Sequence, residues 1–320
     1  GRAYKGNSDK KPHDVIIFGG GYDMAYEDAN FVPSTPTKGS SIYIADAKTG
    51  EKLWSWNNSQ NHSIVAGVTP LDRDNDGLFD HLYFADLGGN VFRADFINKK
   101  GVTFKNVRVT RVLNTSATLT DKSLAYRFYN RPVVSFYRDT ASNIFALINI
   151  ASGDRSSPLS KRRTDNKNAN RVYGIIDKDI TSNSLMTANA VGQYAEITLK
   201  DKTEINLTML GAAQCGTDSV CSDAEKIALN ATVKASSGWY YPLTRFAGFE
   251  GINDVKAMGD YKVANSFLFI SAFDPNKLFP VNNACDAQTV GGSEQQMYCL
   301  PYGICMDDTS KTGTGGFSPI

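Results

Sequence analysis

Four aspartates crowd the stretch DRDNDGLFD, residues 72–80, at positions 72, 74, 76 and 80. Two carboxylates about 5 Å apart repel by roughly 3 kcal/mol at an effective dielectric near 20. A turn that gathers all four therefore needs a cation, or it must hold them splayed in water. The spacing favours the cation. Counting from Asp72, oxygens fall at loop positions 1, 3, 5 and 9, Gly77 sits where a calcium loop turns sharply, and Leu78 offers a main-chain carbonyl. Hard oxygen donors in a flexible loop suit the six-to-eight coordination of Ca²⁺ better than the strict octahedron of Mg²⁺. Position 12 is Tyr83 where a full EF-hand has Glu, and HLYFADL reads as a strand instead of a helix. The expected ligands are therefore Asp72, Asp74, Asp76, the carbonyl of Leu78 and, as the closing bidentate group, Asp80, in a site between β-strands.

No other constellation carries chemistry of this strength. IIFGGGYDM lacks the third glycine of a dinucleotide loop, Met24 standing in its place, and reads as a glycine-rich strand end. SKRRTDNKNANR (160–171) is basic but holds no aromatic residue to stack a base, so it reads as a solvated loop. GxSxG and HExxH are absent, and His13, His62 and His81 lie far apart in sequence, so no catalytic group is assigned and the chain is read as non-enzymatic. The aromatic cluster SGWYYPL (237–243) is read as packing between sheets.

The elements that must position the acidic loop are strands. DVIIFGGG (14–21), SSIYIADA (40–47), DHLYFADL (80–87), GNVFRADF (89–96), FKNVRVTRVL (104–113) and RPVVSFYR (131–138) are short, rich in β-branched and aromatic residues, and bounded by Gly, Asn, Asp or Pro. NIFALINIASG (143–153), NRVYGIID (170–177), AEITLKD (195–201) and SFLFISAFDP (266–275) continue the series. One helix is expected over 222–235, capped by Ser222 or Asp223, with Ile227, Leu229 and Val233 as its apolar side, and a weaker one over 119–129. The 202–236 segment is expected to be an insertion carrying that helix. A loose repeat runs through SIYIADAKTGEKLW (41–54), NVFRADFINKKGVTF (90–104) and RVYGIIDKDI (171–180), each a β run ending in Asp and then a polar turn. In the first of these Asp46 and Thr49 can bind turn amides, Gly50 can take positive φ, and Trp54 can pack on a neighbouring unit. The expected fold is all-β, a modified β-propeller over 1–320 with about four blade-like units, open at one or both ends.

A formal charge of +1, from 34 basic and 33 acidic residues, removes nucleic acid as a partner class, and no apolar run reaches membrane-spanning length. The chain opens GRAYKGNSDKKPHD, with neither an initiator Met nor a signal peptide, and reads as the start of a processed product, an engineered piece or a fragment of something longer. Five cysteines form two clusters, Cys215 with Cys221 and Cys285 with Cys299 and Cys305. Neither cluster has zinc-ligand spacing, so short-range disulfides are expected, with one thiol left over or paired outside the chain.

The run TPLDRDNDGLFDHLYFADLGGNVFRADF resembles the signature of the PilC/PilY family, tip-associated proteins of type IV pili, in which a DxDxDGxxD loop leads into a strand and then a DLGGNV–aromatic–Arg turn. VIIFGGGYD and SIYIADAKTGEKLWSW before it, and IASGDRSSPL, NRVYGIIDKDI and SGWYYPL after it, match in the family's order, so the resemblance spans about residues 14–275. It implies the C-terminal propeller domain of a secreted protein at the pilus tip or outer-membrane surface of a Gram-negative bacterium. It also implies minor pilins and a host or abiotic surface as partners, roles in pilus biogenesis, adhesion and twitching motility, and calcium occupancy that opposes retraction. The Asp–Thr–Gly–Trp pattern alone occurs in quinoprotein dehydrogenases too, although the adjacent cysteine pair of those enzymes is missing here. A generic calcium-dependent glycan- or protein-binding propeller is the third reading.

Overall fold

A computed structural model describes residues 1–117, 119–139, 141–160, 163, 169–182, 193–196, 204–206, 222–243, 254–278, 290–305 and 317–319. Strands β1 (Arg2–Ala3), β2 (His13–Gly19), β3 (Ser41–Asp46) and β4 (Lys52–Asn57) form a first sheet in that order. A second is built from β5 (Thr69–Leu71), β6 (His81–Ala85), β7 (Asn90–Ile97) and β8 (Lys105–Asn114), and a third from β9 (Val133–Arg138), β10 (Ile144–Ala151) and β11 (Arg171–Asp177). The chain then supplies β12 (Gln193–Glu196), β13 (Glu204–Asn206), helix α1 (Asp223–Ala235) and β14 (Gly238–Pro242). β14 extends the third sheet beside β11, while β12 and β13 add in parallel to β8 and β14. The fourth sheet holds β15 (Lys256–Ala257), β16 (Lys262–Ala264), β17 (Phe267–Leu278), β18 (Val290–Cys299) and β19 (Phe317–Pro319). All other pairings among the described residues are antiparallel, and these residues form four sheets where the repeat suggested about four blade-like units.

One local device recurs in three hairpins. Asp46 Oδ1 accepts the amides of Lys48 (2.9 Å) and Thr49 (2.8 Å), Asp86 Oδ1 those of Gly88 and Asn90 (both 2.9 Å), and Asp139 Oδ1 those of Ala141 (2.9 Å) and Asn143 (2.8 Å). Each turn then passes through a residue of positive φ, Gly50, Gly89 and Ser142 respectively. A short acceptor that satisfies the turn amides keeps the tight reversal from exposing unpaired donors. Asp95 does not end its strand as the repeat implied; it lies inside β7, fully buried.

Aromatic contacts join the sheets. Trp54 meets Phe96 edge-on with ring centroids 5.0 Å apart, and Trp56 meets Phe92 at 5.1 Å, which fastens the first sheet to the second. Pairs of this kind add about 0.5–1.5 kcal/mol each beyond their area burial. Trp239 and Tyr241 from SGWYYPL are buried against Tyr298 of the fourth sheet, so that cluster is core. Between the second and third sheets runs a buried charged chain. His81 Nδ1 lies 2.7 Å from Asp95 Oδ1, which also accepts Arg93 Nε (2.9 Å), while Arg93 and Tyr83 both donate to Asp177 Oδ2. The Arg93 of the family-like motif is thus architectural.

Three expectations are corrected. Over 119–129 only Lys122–Leu124 is helical, and as a single 3₁₀ turn; beyond it Tyr126, Arg127 and Phe128 are all buried, which no one-faced surface helix permits. In α1 the Ser222–Glu225 capping box forms, and Leu229 and Val233 are buried, but Ile227 is 59% exposed because it lies roughly 200° around the axis from Leu229. Arg163 and Arg171, from the basic loop, stack on Tyr126 and Tyr240 in place of full solvation. Cys299 and Cys305 form a disulfide with Cα atoms 5.2 Å apart; Cys215, Cys221 and Cys285 lie outside the described residues.

Candidate metal centre

The acidic loop joins β5 to β6, antiparallel neighbours whose last paired residues are Leu71 and His81. That register alone brings Asp72 and Asp80 face to face. The Asp80 backbone is held on both sides, its amide donating to Leu71 O and its carbonyl accepting Phe96 N, each at 2.8 Å. Below the loop Leu78 and Phe79 are buried, Phe79 packing on Phe96 (5.6 Å) and Phe104 (5.9 Å), whereas Asp74, Asn75, Asp76 and Gly77 are exposed. The loop has a greasy root and an acidic tip.

Its interior bonds shape the tip. Asp72 accepts the amides of Asp76 (3.2 Å) and Gly77 (2.7 Å), and the chain reverses through positive φ at Asn75 (61°) and Gly77 (85°). Asp80 Oδ2 accepts Arg73 N at 2.8 Å. One oxygen each from Asp72, Asp74 and Asp80 lies within 4.8 Å of the others. Asp76 stands outside this group, with its Oδ1 accepting the Leu78 amide at 2.8 Å. Leu78 has its side chain inside, so only its main chain is available to an ion. Burial raises the Asp80 carboxyl above its ordinary value; the Arg73 amide opposes the rise and Asp74 adds to it.

Arg73 and Lys99 share a cleft of about 330 Å³ with Asp74 and Asp80, and Arg2 and Lys100 share another of about 300 Å³ with Asp76 and Leu78. Even so, among the described residues none of the four aspartates forms a salt bridge within 4.0 Å. Three converging carboxylates, one of them buried and none in a salt bridge among the described residues, form a donor set that a divalent ion fits. The ligands of such an ion would be Asp72, Asp74 and Asp80, with Asp76 and the Leu78 carbonyl the two whose participation the present hydrogen bonds do not prefigure.

Sequence reasoning missed Asn98, just past β7. It is buried and binds Phe79 O at the base of the loop. Its one visible signal is a turn-forming residue placed directly after a strand, in FINKKG.

These features define a sheet-built, propeller-type protein whose prominent polar site is an acidic hairpin loop. No family model matches the chain, and no curated protein matches it. Among solved structures it is similar to the C-terminal domain of PilY1 from Pseudomonas aeruginosa, with a TM-score of 0.53 and 15% identity over 94% of this chain and 57% of that one. The chain therefore spans little more than half the length of that structure. The likeness establishes the fold, a modified β-propeller.

Proposed function

We propose that this chain is a calcium-binding, non-enzymatic component of the type IV pilus machinery, exposed at the pilus tip or outer-membrane surface. There it would bear on biogenesis, adhesion and the extension–retraction balance behind twitching motility, with minor pilins and a host or abiotic surface as partners. The observation that supports it is the convergence of Asp72, Asp74 and Asp80 within 4.8 Å, with no salt-bridge partner among the described residues, on a chain with the fold of the PilY1 C-terminal domain. A bound Ca²⁺ would offset the repulsion among these side chains and fix the β5–β6 connection. A ligand that binds only the ordered form stabilises it by about 2.7 kcal/mol at a hundredfold excess over Kd. Titration calorimetry of the chelator-stripped protein with CaCl₂, with MgCl₂ as control, tests the metal; saturable heat for calcium that is lost in Asp80→Asn is expected, and no heat overturns the reading. Capture of purified minor pilins with and without calcium tests the partner.

A further inference from the structure

We propose that residues 1–5 form a strap that reports the state of the acidic loop, with Asn98 as the positioning residue that couples the two. The proposal rests on the calcium reading above and goes beyond it to the element that responds. The strap crosses from the first sheet to the second. At one end Arg2 and Ala3 pair with Asp14 and His13, and Ala3 is fully buried. At the other end Lys5 O accepts Phe104 N (3.4 Å) beside the start of β8, while Lys5 Nζ contacts Asp46 (2.8 Å) and Glu51 (2.7 Å) in the β3–β4 turn.

Between these anchors a buried amide bonds both strap and loop. Asn98 Nδ2 donates to Phe79 O (3.0 Å) in the loop and to Arg2 O (3.1 Å) in the strap, and its Oδ1 accepts Tyr4 N at 3.1 Å. Two amide hydrogens and one carbonyl are thus committed to two elements, and Asn98 is only 3% exposed, so water has little opportunity to substitute. Phe79 lies between Leu78 and Asp80, two of the expected ligands. Whatever fixes those neighbours fixes the carbonyl that Asn98 reads. A second contact runs the same way: a Cβ on Gly77 would sit 3.0 Å from Arg2 Nη2, so the loop's sharp turn lies directly under the strap's guanidinium.

Coupling of this kind is reciprocal, so the strap must in turn favour the loaded loop. Hydrogen exchange of the full chain, read by mass spectrometry with CaCl₂ or with chelator, tests it at the Tyr4 amide. In the wild type calcium is expected to slow exchange over residues 3–5 by about fivefold or more, the lower range of measured couplings. In Asn98→Ala the same segment is expected to exchange fast in both conditions, while calorimetry still finds calcium bound with affinity weaker by a similar factor. Asn98→Ser, a smaller change that keeps a donor, serves if the alanine variant does not fold, with an intermediate response expected. Calcium binding by calorimetry without any change in strap exchange overturns the coupling and leaves the metal site standing. Absence of calcium binding overturns both.

Discussion

Asp80→Asn separates two effects that a simple ligand deletion would merge. The Asp80 side chain is buried and has one oxygen within 4.8 Å of oxygens on both Asp72 and Asp74. At that distance each pair repels by roughly 3.5 kcal/mol at an effective dielectric near 20 and by about 0.9 kcal/mol in bulk water. Asp74 is exposed and Asp72 half-buried, so the solvent-screened end of this range applies and the two pairs together cost about 2 kcal/mol. Asparagine removes that repulsion and the cost of burying a charge, and its Oδ1 can still accept the Arg73 amide now held by Asp80 at 2.8 Å. The metal-free variant is therefore expected to be more stable than metal-free wild type by about 1–2 kcal/mol, a shift of a few degrees in Tm for a chain of this size. In saturating calcium the order reverses, because only the wild type gains the binding energy. The assay is a urea or thermal unfolding series on both proteins in chelator and in millimolar CaCl₂. A variant less stable than wild type in chelator, or one that keeps the wild-type response to calcium, would refute the reasoning.

Two further perturbations follow from the packing and the ionic contacts. At Gly88 a Cβ would lie 2.1 Å from the ring of His62, itself half-buried and bonded to Tyr26 at 2.9 Å, so Gly88→Ala must displace that ring and is expected to cost about 1–3 kcal/mol, read as a lowered unfolding midpoint. The Lys5 ammonium, with the Thr49 amide next, holds the Asp46 carboxyl well below its usual 3.8. A carboxyl with a lowered folded-state pKa contributes stability that is present above the unfolded value and lost as pH falls through the folded one. The stability gap between wild type and Asp46→Asn should accordingly be flat above pH of about 5 and close progressively below about 4, measured by unfolding midpoints across an acid series; a gap that does not depend on pH counts against the ion pair.

What could be read from the sequence was what local chemistry decides. The Asp46 turn needs only an acceptor, two nearby amides and Gly50 at positive φ, all within a few residues, and it forms as its sequence implies. Asp72 and Asp80 converge for an equally local reason, because they flank the last pair of a hairpin. Counting alternate oxygens does not foresee the bond that Asp76 makes to the Leu78 amide two residues on, because it treats every carboxylate as free of local hydrogen bonds. The connections that unify the molecule were not legible at all. Arg93 and Asp177 are 84 residues apart, and Asn98 and Arg2 are 96 apart; neither pairing leaves a periodicity or a spacing. The same distinction explains the 119–129 segment. Its residues have fair helix propensity, but Arg127 donates to Tyr26 O, Asp28 O and Asp154 from other parts of the chain, and those bonds require it to lie extended between sheets. Propensity is worth tenths of a kilocalorie per residue, roughly up to 0.7, whereas leaving a buried guanidinium without its partners costs about 3–5 kcal/mol, so the tertiary bonds decide the local conformation.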